Sequence, residues 1–348
     1  MNTKKNIRTN KEMVEITSTL LAANKELWEP IYARYADSVI RNHEKYGKHA
    51  RHFKVDSPLF VYSCLGKVMS DSTTSLFDLR FAGQSVGMLR VNKENQVKLI
   101  VSDKQAQYAK DHFHFESSKE LKGADWKMNK DANSFRLFYY DQKSTEQIAI
   151  KSEEHRIENF MLSEFSKRTR KQEKKLCNIQ PIRLGGKFFQ LTTPLAGSTH
   201  EPSFSINDKN GASGGGIDIL ARVKHAPFKS RIAIIELKDE NKPDEPQELV
   251  MQQALIYATF IAHLLRSKSG ENWWKIFREN YDKCSVPSHL NLDVVSLMPK
   301  GIKTEGDLTI IPLKELNTSL NLYTLYYTTD KDGNPKEFSG TLKDALLP

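Results

Sequence analysis

Gly214-Gly215-Gly216-Ile217-Asp218-Ile219-Leu220-Ala221-Arg222-Val223, followed after a polar turn by Arg231-Ile232-Ala233-Ile234-Ile235-Glu236-Leu237-Lys238, decides how this sequence is read. Both halves read as strands, over about 216–223 and 231–238. Each sets an acid in apolar surroundings: Asp218 between Ile217 and Ile219, and Glu236 after Ile232-Ala233-Ile234-Ile235. Burying a carboxylate costs several kcal/mol unless a cation or hydrogen bonds compensate it. Strand side chains alternate, so Glu236 and Lys238 share a face and Leu237 points away. If the neighbouring strand sets Asp218 beside Glu236, two carboxylates converge, with the Leu237 carbonyl within reach. Such hard oxygen donors suit Mg²⁺, or Mn²⁺ in its place. A metal there would polarise a phosphate and activate a water. Lys238 would orient that water, act as a base, or neutralise developing charge. A strand-end ion pair is the other reading of the same three residues.

Working outward, the apolar pattern over Gln247–Leu265 predicts a helix, with Gln253 and Tyr257 four residues apart on one face. There they would support the lysine and metal waters, or hold a phosphate. Gly214–Gly216 would let the backbone approach a ligand closely. Leu292–Leu297 reads as a further apolar strand, and 308–312 and 322–328 as pieces that extend the sheet or cover an edge. Upstream, 179–184 and 188–192 form a hairpin around Gly185-Gly186, preceded by a helix from Glu154 to about Lys175. The element order over this half is αβββαβ, which predicts an α/β fold with a mixed central sheet.

The first 150 residues read as a separate α+β domain, so the domains expected are 1–150 and 151–348. Two helices are expected between Lys11 and Tyr46, separated at Pro30 or with Pro30 opening the second. Strands follow at 58–64 and 96–102, with hairpins at 76–81/86–91 and at 135–140/147–150.

The chain has 348 residues and a formal net charge of +9. Residues 1–150 hold 24 Lys and Arg against 18 Asp and Glu, 151–190 hold 10 against 5, and 191–348 hold 18 against 20. Positive potential therefore flanks the acidic centre, which suits a polyanion held over a metal site. The densest basic run is Lys167, Arg168, Arg170, Lys171, Lys174 and Lys175. It reads either as a phosphate-contacting surface or as a solvated helix end. The three cysteines are far apart and no apolar run suggests a bilayer span or a secretory leader. A cytoplasmic protein with free thiols is the expectation.

Asp218…Glu236-Leu237-Lys238 followed by Gln253-Ala254-Leu255-Ile256-Tyr257 resembles the PD-(D/E)XK phosphodiesterase superfamily, over roughly residues 154–298. The trailing Gln-x-x-x-Tyr is similar to its RecB-type and Cas4-like branches. Ile217 stands where the name-giving proline would be. The resemblance implies a restriction-endonuclease-like core and Mg²⁺-dependent cleavage of nucleic acid, most simply DNA. It also implies a further acid from the first helix, by position Glu158 or else Glu154. A non-catalytic nucleic-acid-binding or scaffold protein on the same fold is the alternative. His112-Phe113-His114 has metal-like spacing without a partner set, and Trp273-Trp274 reads as packing or as a base-stacking pair.

Overall fold

A computed structural model describes residues 8–46, 59–65, 75–92, 94, 96–101, 125–126, 130–141, 152–167, 174–196, 202–207, 211–239, 246–278, 285–301 and 309–348. In chain order the helices are α1 (Asn10–Ala23), α2 (Lys25–Tyr46), α3 (Lys130–Asp141), α4 (Glu153–Phe165), α5 (Gln247–Leu265), α6 (Gly270–Arg278) and α7 (Thr341–Ala345). The strands are β1 (Leu59–Ser63), β2 (Ser75–Phe81), β3 (Gln84–Val91), β4 (Val97–Ile100), β5 (Ile179–Pro181), β6 (Arg183–Leu184), β7 (Lys187–Phe189), β8 (Leu195–Ala196), β9 (Ser203–Phe204), β10 (Ile206–Asn207), β11 (Gly211–Ala212), β12 (Ile219–Ala226), β13 (Lys229–Leu237), β14 (Leu290–Pro299), β15 (Ile310–Leu313), β16 (Thr318–Thr329) and β17 (Pro335–Ser339). The fold is α/β with mixed sheets.

The chain divides into two compact units, and not by one cut near residue 150. One unit joins Met1–Asp37, Glu164–Ile182 and Gln190–Pro348, and the other joins Ser38–Ser163 and Arg183–Phe189. The expected 179–184 strand is therefore split at Ile182. β5 belongs to the first unit, whereas β6 and β7 close their Gly185-Gly186 turn in the second.

In the first unit a seven-stranded sheet runs β15-β16-β14-β13-β12-β5, with β17 on β16. β5, β12 and β13 are antiparallel neighbours, and β14 lies parallel to both β13 and β16. β13 and β14 are buried on both faces, which is why they read as continuous apolar runs. α5 packs along β14 and β13, and α1 packs on α5. By length and composition α5 passes as a membrane-spanning helix, contrary to the expectation that no segment does; here most of it is buried in the unit. Its acid-poor, apolar sequence is that of a central core helix.

The second unit holds a six-stranded sheet, β4-β3-β2-β1-β7-β6. β2 alternates buried and half-buried residues, so one face meets a core of Leu59, Val61, Phe77, Leu79, Leu89, Trp126 and Phe135. The expected strand at 135–140 is instead part of helix α3. Ala132, Phe135 and Tyr139 are the buried members, at helical spacing, with the two rings 5.0 Å apart. Its proposed partner, 147–150, lies outside the described residues. The first helical break falls at Asn24, and Pro30 sits inside α2. Asn24 ends α1 by donating its backbone N–H to Leu20 and then accepts from Leu27, so capping there overrides the proline signal.

A buried charge cluster lies at the far end of β12 from Asp218. Asp293 is fully buried, 2.6 Å from His225 Nε2 and 3.3 Å from Arg231 Nη1. His225 Nδ1 is 2.9 Å from the Ala345 carbonyl. A doubly protonated ring satisfies both contacts, one to the carbonyl and one to the carboxylate. Burial opposes that charge, but Asp293 and the Ala345 carbonyl outweigh burial and Arg231 and raise the His225 pKa. A raised pKa stabilises the fold below the unfolded value near ~6.5 and is lost as pH rises through the folded value. Urea midpoints of wild type and His225→Gln should therefore differ most at mildly acidic pH and converge at alkaline pH. Parallel curves would reject the assignment.

Candidate functional site

The site assembles where β12 begins and β13 ends. Ile219 pairs with Ile235 across the antiparallel ladder, so Asp218 stands opposite Glu236, one step beyond. The strand starts at Ile219 and not near 216, because Asp218 turns its carboxylate into the ladder: its Oδ2 accepts from the Leu237 backbone N–H at 2.8 Å. A residue's N–H and C=O leave a strand on the same edge. The Leu237 carbonyl is therefore directed toward the Asp218 side, while the next N–H, of Lys238, donates to Leu297 at 3.0 Å on the β14 side.

Glu236 and Lys238 share a face, as alternation requires, and Lys238 Nζ donates to Glu236 Oε1 at 3.3 Å. Both side chains are buried, and Asp218 is half-buried. The carbonyl of Lys238 accepts from the Tyr327 hydroxyl at 3.0 Å, which pins the end of β13 to β16.

α5 brings Gln253 and Tyr257 to the same place. Gln253 Nε2 donates to Tyr257 Oη at 3.4 Å. Burial, then the charge of Glu236 and more weakly that of Asp218, push the Tyr257 phenol up to about 12, against the Gln253 hydrogen bond and Lys238. At neutral pH the tyrosine is therefore a donor and not a base. Its hydroxyl lies against Gly215, three residues before Asp218. Asp218, Glu236, Lys238, Gln253 and Tyr257 thus come together within one unit.

The glycine run does something other than make room for a ligand. Gly214 N–H donates to Thr193 O, and Gly215 N–H to Leu195 O. A Cβ on Gly214 would lie 2.4 Å from Leu195 O, and one on Gly215 would lie 1.9 Å from Tyr257 Oη. The close approaches are to the chain's own backbone and to the site tyrosine.

Glu158 and Glu154 belong to the second unit. Glu158 is buried with Oε2 3.3 Å from His155 Nδ1. α4 ends at Phe165, short of the expected Lys175. Lys167 pairs with Glu164, and Lys174 and Lys175 open a short 3₁₀ turn, Lys174 being exposed. Arg168, Arg170, Lys171, His112 and His114 lie outside the described residues. Trp273 and Trp274 are packing residues: both are buried, and Trp273 Nε1 donates to Tyr32 O at 3.1 Å.

Two residues went unnoticed in the sequence. Ser296 lies beside Glu236 in the parallel β13–β14 register, fully buried, its Oγ without a partner among the described residues. Asp239 is buried directly after Lys238. A serine inside Leu292–Leu297 was the available signal for the first.

The donor set fits a hard cation. Among the described residues no three His, Cys, Asp or Glu side chains are grouped for a metal. Two carboxylates and the Leu237 carbonyl are a small set, as suits Mg²⁺, which retains several waters. Comparison with protein-family models, with curated proteins and with solved structures finds no match.

Proposed function

We propose that the chain is a Mg²⁺-dependent nuclease that hydrolyses phosphodiester bonds, with DNA as the substrate. The convergence of Asp218, Glu236 and Lys238 at adjoining strand ends, with Gln253 and Tyr257 over them, carries this reading. The antiparallel β5-β12-β13, the crossover α5 and the parallel β14 support a restriction-endonuclease-like core.

In this reading Asp218, Glu236 and the Leu237 carbonyl would hold the cation. Bound there, Mg²⁺ would supply charge stabilisation of the phosphate and a water of lowered pKa. Asp218 is fixed by the Leu237 N–H before any substrate arrives, so its carboxylate is preorganised. Lys238, held against Glu236, supplies a positive charge beside the scissile phosphate. Tyr257, protonated, and Gln253 donate hydrogen bonds to phosphate oxygens or waters. The basic run Lys167, Arg168, Arg170, Lys171, Lys174 and Lys175 would hold the backbone on either side.

Wild type should cleave DNA in Mg²⁺ or Mn²⁺ and not in EDTA, and Asp218→Asn should cut only at background. Asparagine keeps an acceptor for the Leu237 N–H, so loss of activity would not come from loss of the strand end. Equal cleavage by both proteins would remove Asp218 from the chemistry.

The burial of Glu236 and Lys238 favours a second reading, in which the pair is structural and the fold binds nucleic acid without cutting it. Salt-sensitive DNA binding with no metal-dependent cleavage would select that reading.

A further inference from the structure

The β12–β13 hairpin ends in a two-residue loop, Pro227-Phe228, closed by the Ala226–Lys229 pair. Phe228 has φ 61°. A turn with proline at its second position and a left-handed residue at its third takes glycine by preference. An aromatic residue is strained there, and such strain persists at functional positions when something other than stability selects it. Phe228 is also fully exposed, so no packing in the fold offsets the strain.

Its surroundings are cationic. Residues 222–231 read Arg-Val-Lys-His-Ala-Pro-Phe-Lys-Ser-Arg, without one acid. Of the acids near the ribbon, Asp293 is buried and already engaged by His225 and Arg231. Exposed Asp344 precedes Ala345, whose carbonyl meets His225, on the side where the Leu347 N–H donates to the Lys224 carbonyl. Lys229 is exposed beside Phe228, Lys224 is half-buried two strand positions before Ala226, and Arg278 reaches the ribbon through Ser230 O at 3.0 Å. The core of a protein-docking surface is depleted of lysine, whereas exposed Lys229 adjoins Phe228. An isolated aromatic among cations matches the way unpaired bases are held, with a ring for the base and ammonium groups for the phosphates.

We infer that the Pro227-Phe228 tip is a stacking platform for an unpaired base of a single-stranded nucleic acid, with Lys229 and Lys224 taking the adjoining phosphates. This rests on the proposed function only in taking a nucleic acid as the partner; it needs no metal site. β13 runs from the tip to Glu236, seven steps of ~3.3 Å or about 23 Å. The platform would thus hold substrate well away from the carboxylates.

The test uses the full chain carrying Asp218→Asn, with and without Phe228→Gly, and fluorescence anisotropy of a labelled oligothymidylate and a labelled blunt duplex. Phe228→Gly should bind the single strand roughly 5- to 150-fold more weakly, the equivalent of one lost stack. Its duplex affinity should stay within about twofold and its thermal midpoint should not fall, because glycine relieves the turn. Unchanged single-strand affinity, absent binding by the Phe228 protein, or an equal loss on both ligands would overturn the inference. So would a Phe228-dependent self-association seen by sedimentation, which would assign the tip to a protein partner. Metal-dependent cleavage by the unaltered chain is scored separately, so failure of the nuclease reading is not confused with failure of the platform.

Discussion

Lys238→Met is expected to destabilise the protein by about 3–5 kcal/mol and to reduce metal-dependent cleavage by about 10²–10³-fold. Methionine nearly preserves the side-chain volume, so the loss is electrostatic. Glu236 is 1% exposed and Lys238 5% exposed, and the two side chains touch at 3.3 Å. Taking the ammonium away leaves a carboxylate in a dry environment. Adding Glu236→Gln removes that charge as well, and the double variant should recover most of the stability, since a buried pair replaced as a unit often costs little. Activity should not return. Urea unfolding of wild type, both single variants and the double variant gives the coupling energy, and cleavage assays on the same four proteins give the second readout. A stable double variant with wild-type cleavage would show that the pair only holds the strand end together.

The separation between fold and chemistry in that experiment mirrors what could be read from the residues. Strongly periodic or continuously apolar stretches were legible: α5 spans Gln247–Leu265 as its pattern requires, and the core of β14 falls on Leu292–Leu297. The Ala82–Ser85 turn joins β2 to β3 as its composition indicates, although pairing continues to Phe81 and Gln84. Short aromatic runs were not legible. Phe135-Arg136-Leu137-Phe138-Tyr139-Tyr140 is rich in strand formers, yet the spacing of Ala132, Phe135 and Tyr139 lets one helix face fill the second core. Tertiary burial decided between two patterns that six residues could not distinguish.

Placement at the site was legible where alternation and register fix it, as for Glu236, Lys238 and the pair Gln253 and Tyr257. It was not legible where long-range topology decides. Nothing local in Ile179–Phe189 says that the chain passes from one sheet to another at Ile182, or that Glu158 belongs to a different unit from Glu236. The glycine run was legible as a close approach, but its partner came from two other segments, Thr193–Leu195 and α5.

That partner makes Gly215 the position where the smallest change should have a large effect. Gly215 does not use a positive φ, so its lack of a side chain is a matter of space. An alanine Cβ would lie 1.9 Å from Tyr257 Oη and 2.8 Å from Cζ, and Tyr257 is a rigid ring that is itself buried. Either the Gly215 backbone leaves its bonds to Thr193 and Leu195, or the ring shifts and drags its hydroxyl away from the carboxylates. Gly215→Ala should therefore cost about 1–3 kcal/mol by overpacking. Tyr257→Phe alone should cost about 0.5–1.5 kcal/mol for the lost hydrogen bond with Gln253. Combined, the two should cost less than their sum, because phenylalanine removes the atom nearest the new methyl group. Additive costs in a four-protein urea cycle would mean that the hydroxyl is not seated on Gly215. Cleavage adds a further distinction. If Tyr257 donates to substrate, Gly215→Ala and Tyr257→Phe should lower kcat by similar factors, and the double variant should fall no further. If the tyrosine only packs, the double variant should regain activity together with stability.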